Sequence, residues 1–267
     1  MSAVWLIGDP VAHSLSPAMH NAAFATLGLP HRYEVREVKA AELADALGSI
    51  RHEDVLGANV TIPHKEAALR LVDNVSDEAR RIGAINTIVR RGRRLAADNT
   101  DGYGFGRALE EASIKARRAL VLGAGGAARA CVVELLRAGV DVSVANRTRA
   151  RAESLARSIR VDHARARAVT WPTQDDLDAT DLVVNATPLG MHNEDPIKGR
   201  RLPRAIVDLI PLATETPLVK RAKAAENVTV VDGLSMLLHQ AARSFELWTG
   251  VPAPLEAMRS ALPRPIP

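Results

Sequence analysis

The chain is short of several things, and each shortage excludes something. It holds one cysteine, Cys131, so no internal disulfide can form, which fits a reducing compartment. Aromatic residues make up only 3%, so the core must be built from Ala, Leu, Val and Ile, and few rings exist to stack bases. No run of about 18 consecutive apolar residues occurs, so no transmembrane helix is expected. The first residues lack the basic flank and apolar run of a signal peptide. A cytoplasmic location with no membrane partner is therefore expected. Lysine is scarce too: six stand against 29 arginines.

What is present suits a folded α/β protein. The 267 residues, 47% hydrophobic, suffice for one large domain or two modest ones. The net charge is +4, and a basic balance can signal nucleic acid. Here the arginines are scattered along probable helix faces, often near Glu or Asp. The densest run, Arg90, Arg91, Arg93 and Arg94, reads as a hairpin turn around Gly92. No nucleic-acid motif accompanies it, so a small anionic ligand suits the chain better than nucleic acid.

Short β-branched runs alternate with longer amphipathic segments. Strands are expected at Val4–Ile7, Tyr33–Val38 and Val55–Ile62, and helices at Ser16–Leu27, Ala41–Ile50, Lys65–Leu71 and Ser76–Ile82. Pro17 sits at a first helical position. Asn86–Arg90 and Arg94–Ala97 read as a hairpin. A second series begins after Gly104: helix Phe105–Glu111, strand Arg118–Leu122, helix Ala127–Arg137, strand Asp141–Ala145, helix Ala150–Ser158 and strand Asp181–Asn185. Strands at Ala205–Asp208 and Val228–Val231, and helices at Met236–Trp248 and Pro254–Ala261, complete it. Strands alternating with helices argue a parallel sheet. The Pro-containing tail Leu262–Pro267 is expected to fray.

Leu120-Val121-Leu122 runs into Gly123-Ala124-Gly125-Gly126-Ala127-Ala128, a Gly-x-Gly-x-x-Ala fingerprint between strand and helix. Gly123 allows the tight turn, Gly125 lets the backbone approach a pyrophosphate, and Ala128 keeps helix and strand close. The helix N-terminus offers free N–H groups to phosphates. The bland alternative is a Gly-rich turn without a ligand. About 20 residues on, an NAD site would carry an acid. This chain has Asn146-Arg147-Thr148-Arg149-Ala150-Arg151 instead. Arg147 and Arg151 would reach a 2′-phosphate if a helix turn begins at Thr148, which favours NADP over NAD. An Arg-rich solvated helix start is the other reading. Asn185–Met191 forms a polar turn after another strand, where open α/β sheets bind ligands.

Three patches in the first half are unusually polar. Gly8-Asp9-Pro10, His13-Ser14-Leu15-Ser16-Pro17 and His20-Asn21 form one; the serines would either cap a helix or hold a carboxylate. Asn59–Lys65 forms another. Lys65 follows a strand end in a chain whose default base is arginine, and lysine sheds a proton on desolvation where arginine does not. A solvated lysine at a helix start is the alternative. Gly83–Thr87 and Asp98–Gly102 make the third. Asp101 beside Lys65 would hold it in place, or Asp101-Gly102 is simply a turn.

Together the runs Gly8–Asn21, Asn59–Lys65, Gly83–Thr87, Asn99–Asp101, the glycine fingerprint, Asn146–Thr148 and Asp232-Gly233-Leu234 through Gln240 resemble the shikimate dehydrogenase family, in its motif order and over essentially the whole chain. The resemblance implies an N-terminal α/β substrate domain, residues 1–102 with 238–267, and a Rossmann-like, doubly wound parallel-sheet NADP domain, residues 103–237. It implies that Ser14 and Ser16 hold the substrate carboxylate, that Thr61, Asn86 and Gln240 bind ring hydroxyls, and that Lys65 and Asp101 form the catalytic pair, also touching substrate. Gly123, Ala124, Gly125, Gly126, Ala127, Asn146, Arg147, Thr148, Arg151 and Thr187 would bind NADP. Leu209 and Gly233 would line its nicotinamide side, and Asp77 matches a position near the cofactor. No metal is implied, closure of a cleft is expected, and a homodimer is allowed. Two departures stand out. Pro211 follows Asp208-Leu209-Ile210 where many members carry Tyr, and Ser235 stands where many carry Gly. An NAD-dependent quinate/shikimate dehydrogenase would prefer an acid at Arg147. A non-catalytic shikimate-sensing module would be free to lose Lys65, Asp101 or the fingerprint, and this chain retains all three.

Overall fold

The computed structural model describes residues 2–52 and 54–263; residues 264–267 of the tail expected to fray lie outside it. The chain divides into two compact units, one from Met1–Asp101 and Leu238–Pro265, the other from Gly102–Leu237. No described helix is long and apolar enough to cross a membrane.

The first unit runs β1 (Ser2–Gly8), α1 (Ser16–Thr26), β2 (His31–Glu37), α2 (Leu43–Ile50), β3 (Val55–Val60), α3 (Lys65–Ala68), β4 (Asn74–Val75), α4 (Asp77–Ile82), β5 (Thr87–Arg91) and β6 (Arg94–Asp98). Its six-stranded sheet has the order β2-β1-β3-β5-β6-β4. The β1–β2, β1–β3 and β4–β6 pairs are parallel, whereas β5 is antiparallel to both neighbours. A hairpin cannot be parallel, so the β5–β6 turn at Gly92, with φ +63°, makes this sheet mixed. One face packs on α2, which offers Leu43, Leu47 and Ile50 at helical spacing to Ile7, Val60 and Ile88.

The other face departs from the expected purely aliphatic core. Four of the few aromatic side chains gather there around His20. The His20 ring stacks on Tyr33 at 4.3 Å between centroids, and Phe24 meets Phe245 at 5.1 Å. Trp248 lies 5.2 Å from His20 and donates its indole N–H to Ile88 O at 2.9 Å. A side chain at Gly57 would strike that carbonyl and that indole, at 2.0 and 2.8 Å, so only glycine fits there.

The second unit runs α5 (Asp101–Glu111), β7 (Arg118–Leu122), α6 (Gly126–Arg137), β8 (Asp141–Ala145), α7 (Arg149–Ser158), β9 (Arg167–Val169), α8 (Gln174–Asp178), β10 (Leu182–Asn185), β11 (Ala205–Asp208), α9 (Pro217–Lys223) and β12 (Thr229–Val231). Two helices follow: α10 (Gly233–Thr249), which belongs to the first unit from Leu238 on, and α11 (Leu255–Ser260), which belongs to it whole. All strands here are parallel, in the order β12-β11-β10-β7-β8-β9. The chain leaves β7 toward one edge, then returns to β10 and builds the other. That reversal is a doubly wound sheet with its switch point between β7 and β10. Its strands read as continuous apolar runs because both faces are covered. Leu120, Leu122, Val183 and Ile206 pack with Leu177, Leu218 and Ala222 in the core of one face.

Several elements differ from expectation. Helix α3 stops at Ala68 rather than Leu71, α5 begins at Asp101 rather than Phe105, and α10 begins at Gly233 rather than Met236. Asp101-Gly102 is thus a helix start, not a free turn. Neither serine acts as the N-cap of α1: Leu15 holds that place, Ser16 is the first helical residue, and Ser14 Oγ accepts the Ser16 N–H at 3.2 Å. The short elements β4, β9, α8 and α9 had no counterpart in the sequence reading.

Candidate active site

In the first unit, Lys65 opens α3 just past the end of β3. Its backbone carbonyl accepts the Ile85 N–H at 2.9 Å, which fixes the lysine against the segment leading into β5. Its ammonium donates to Asp101 Oδ2. The pair is nearly closed to solvent, with side chains 14% and 4% exposed. Asp101 is steadied on its other sides as well. Its backbone N–H donates to Asn99 Oδ1 at 2.9 Å, and its Oδ1 accepts Asn86 Nδ2 at 2.9 Å.

Asn86 is the hub of this cluster. Its amide nitrogen also reaches Thr100 Oγ1 at 2.9 Å and Gln240 Oε1 at 3.2 Å. Its carbonyl oxygen accepts the Thr100 N–H and the Thr87 hydroxyl, both at 2.8 Å. Ser244, one turn beyond Gln240 on α10, sits 2.7 Å from Thr87 Oγ1 and 3.0 Å from Thr100 Oγ1. Asn59 Nδ2 donates to Asn86 O at 2.9 Å, while Asn59 Oδ1 accepts the Tyr33 hydroxyl at 2.8 Å. Burial pushes the Tyr33 phenol well above its ordinary range. A continuous buried chain of hydrogen bonds therefore joins Lys65 and Asp101 to Tyr33. Such a network holds its members in single orientations because each lost partner would leave a buried polar group unsatisfied.

Not every polar residue of the first unit belongs to it. Asn21 clamps the backbone of Tyr33, donating to its carbonyl at 3.1 Å and accepting its N–H at 2.8 Å. Burial lowers His20 to about 3, so it is a neutral ring in the aromatic cluster and no acid or base at neutral pH. His64 donates its Nε2–H to Val38 O at 2.7 Å. Thr61 lies just past β3 without a side-chain bond to the cluster, and Asp77 is exposed at the start of α4.

In the second unit the glycine turn joins β7 to α6. Gly123 has φ +113°, and a Cβ there would lie 2.7 Å from Ala186 O. Gly125 is the N-cap of α6 and meets nothing within 4 Å, so the backbone there is open to a ligand. The Gly123 N–H donates to Ala145 O at 2.8 Å, which brings the segment Asn146–Thr148 beside the turn. Asn146 Nδ2 donates to Thr148 O at 2.9 Å, and Thr148 is the N-cap of α7. Arg147 and Arg151 are exposed on this start. Thr187 is held by Asn185, whose Oδ1 accepts its N–H at 3.1 Å and its hydroxyl at 2.6 Å. Leu209 donates its N–H to Asn185 O at 3.0 Å, and a Cβ on Gly233 would strike the Ile210 carbonyl carbon at 2.4 Å. Pro211 and Ser235, the two departures, flank that contact in sequence, and Ser235 is buried.

The sequence reading gave no site role to Thr87 and Thr100, though both lie in its third polar patch, nor to Tyr33 and Ser244 in the first unit or Asp208 and Thr216 in the second. Asp208 accepts the Thr216 hydroxyl at 2.6 Å and Asn185 Nδ2 at 2.9 Å, and burial raises it to about 6. Among the described residues no cluster of His, Cys, Asp or Glu could hold a metal ion.

Comparison with known proteins agrees along the chain. The family model for the shikimate dehydrogenase substrate binding domain matches residues 6–88, that for shikimate / quinate 5-dehydrogenase residues 107–208, and that for the shikimate 5'-dehydrogenase C-terminal domain residues 233–262. The NADP(+) shikimate dehydrogenase of Symbiobacterium thermophilum is 44% identical, over 96% of this chain and 92% of its own. A shikimate dehydrogenase solved with NADP+ superposes with a TM-score of 0.90 at 37% identity, covering 98% of this chain and 94% of its own. The Thermus thermophilus enzyme, solved with NADP(H) and shikimate, gives 0.86 at 41% identity, with 98% of each chain covered.

Proposed function

The chain belongs to the shikimate dehydrogenase family, and from that premise we propose that Lys65 and Asp101 carry the proton in a reversible, NADP(H)-dependent interconversion of 3-dehydroshikimate and shikimate. The observation that carries the residue assignment is the buried Lys65–Asp101–Asn86 contact.

When bound, NADPH would supply the hydride that reduces the C3 ketone. The residues present fit that cofactor: an open glycine backbone before α6, the helix N-terminus, and two exposed guanidinium groups where an NAD site would carry an acid. Arg147 and Arg151 would take the 2′-phosphate, Gly123 to Ala127 the pyrophosphate, and Asn146, Thr148 and Thr187 would line the nucleotide. Leu209 and Gly233 would face the nicotinamide, and Asp77 would stand near it.

In the first unit Lys65 Nζ is the donor for the ketone oxygen as negative charge grows on it, and it delivers the proton that makes the hydroxyl. In the reverse direction it accepts that proton. Asp101 holds the ammonium in place, and Asn86 holds Asp101. Ser14 and Ser16 would take the substrate carboxylate, with Thr61, Asn86 and Gln240 on ring hydroxyls. The substrate domain is thus residues 1–102 with 238–267, and the NADP domain residues 103–237. The single cysteine, which is buried, supports a cytoplasmic setting. A homodimer belongs to the same reading, and the mass in solution tests it.

The experiment is a cofactor-reduction assay with shikimate and quinate, each against NADP and NAD. Turnover fastest with shikimate and NADP is expected. Turnover chiefly with quinate and NAD would overturn the specificity assigned to Arg147. Shikimate binding without any turnover would replace the enzyme by a sensing module.

A further inference from the structure

The second unit carries a cavity of about 760 Å³ that the dehydrogenase reading does not use. It lies at the amino ends of β7, β10, β11 and β12, where Arg118, Asp181, Ala205 and Thr229 line it. The glycine turn stands at the carboxyl end of β7, roughly 15 Å away by the length of that strand. The cavity and the nucleotide turn are therefore on opposite ends of one sheet.

Its lining has a defined chemistry. Most of the lining is polar, and Leu177, Pro203 and Ala205 at its base are buried. Four cationic side chains, Lys115, Arg117, Arg118 and Arg204, stand on its exposed rim. None of the four has a hydrogen-bond or ion-pair partner among the described residues. Two carboxylates line the cavity with them, and the charges of Arg118 and Arg204 act on Asp181. Asp178 is paired with Arg201 at 2.5 Å and takes Gln174 Nε2 at 2.7 Å. Asp181 accepts the backbone N–H groups of Arg117 and Arg118, both at 2.9 Å, which hold it below the usual carboxylate range. Four cations against two carboxylates leave an excess of two positive charges. No aromatic side chain lines the cavity, so nothing there would stack a base.

We propose that this cavity is a second anion site, separate from the nucleotide turn, which takes a small phosphate as a dianion on its arginine rim. The volume falls within the range of about 300–1,000 Å³ usual for small-molecule sites. Guanidinium groups fork onto phosphate oxygens, and three of the four cations are arginines.

The test is calorimetric titration of the full chain with phenyl phosphate, with NADP saturating throughout so that the nucleotide site does not report. Inorganic phosphate is the comparison ligand. One binding event is expected with each ligand, weakened about tenfold or more in the K115A/R204A variant. Both replaced side chains are exposed, so the K115A/R204A melting temperature should match wild type, and K115Q/R204Q repeats the test with longer side chains. The absence of binding, equal affinity in wild type and both double variants, or a preference for a short oligonucleotide over phenyl phosphate would each overturn the proposal.

Discussion

The two units build their sites from different materials. The site of the first unit is a mesh of side chains: Lys65, Asp101, Asn86, Thr87, Thr100, Gln240 and Ser244 hydrogen-bond one another in the interior. That of the second unit is mostly backbone, with a glycine in a conformation closed to other residues, a helix N-terminus and two exposed arginines. A mesh of buried side chains fixes the positions of a few atoms, which suits a small polyhydroxylated ring. A backbone cradle with exposed cations on its rim suits a long ligand whose phosphates carry most of the recognition.

The contrast predicts where each site breaks. Gly123→Ala places a Cβ 2.7 Å from Ala186 O at φ +113°, so it should cost about 1–3 kcal/mol of stability and most of the NADP affinity. Thermal melting and NADP titration would check it, and unchanged NADP affinity would remove the cradle from the account. Next in size, Arg147→Asp should weaken NADP about ten- to a hundredfold and leave NAD within a few-fold. Equal losses for the two cofactors in steady-state kinetics would end the 2′-phosphate role.

Much of this difference was legible beforehand, for a physical reason. A backbone requirement is written in neighbouring residues: the glycines of the β7–α6 turn and the absent acid near Arg147 sit within one βαβ unit. The strands Arg118–Leu122, Asp141–Ala145 and Ala205–Asp208 were also readable, because both-sided burial makes them apolar runs. The mesh was not legible in the same way. Asn59 meets Ser244 across 185 residues, and no local pattern encodes that contact. Lys65, Asp101, Asn86 and Gln240 were reached through the family's motifs, and their partners Tyr33 and Ser244 were not. The missed helices had signals that short length hid: α8 opens on Thr173 with Asp176 closing a capping box, and α9 opens on Thr216 with Pro217 behind it. Strands β4 and β9, of two and three residues, are too short to show alternation. Helix α5 starts early because Asn99 captures the Asp101 N–H, turning an Asp-Gly dipeptide into a helix start.

Smaller effects sharpen the comparison from the other side. Asp208 is a buried side-chain knot in the backbone-built unit, and its carboxyl is raised from 3.8 to about 6 by burial. Between those values the folded protein binds the proton more tightly than the unfolded chain does. This group's contribution to stability therefore rises as pH falls from about 6 to about 4, by up to about 3 kcal/mol. Asp208→Asn should remove that contribution, so the wild-type minus variant difference in stability should shift in that direction across the window. A difference flat with pH would contradict it. Ser244→Ala, in the first unit, should cost about 1–3 kcal/mol and raise KM for shikimate with little change in KM for NADP. A change confined to the NADP term would show that the mesh does not serve the substrate.

The central claim is that Lys65, held by Asp101 and Asn86, carries the proton. Its most direct test is Lys65→Ala, with kcat measured beside the dissociation constants of shikimate and NADP. The account predicts kcat lower by about a hundred- to ten-thousandfold, with NADP binding spared and shikimate still bound. Turnover near the wild-type rate in a variant that binds both ligands would contradict it.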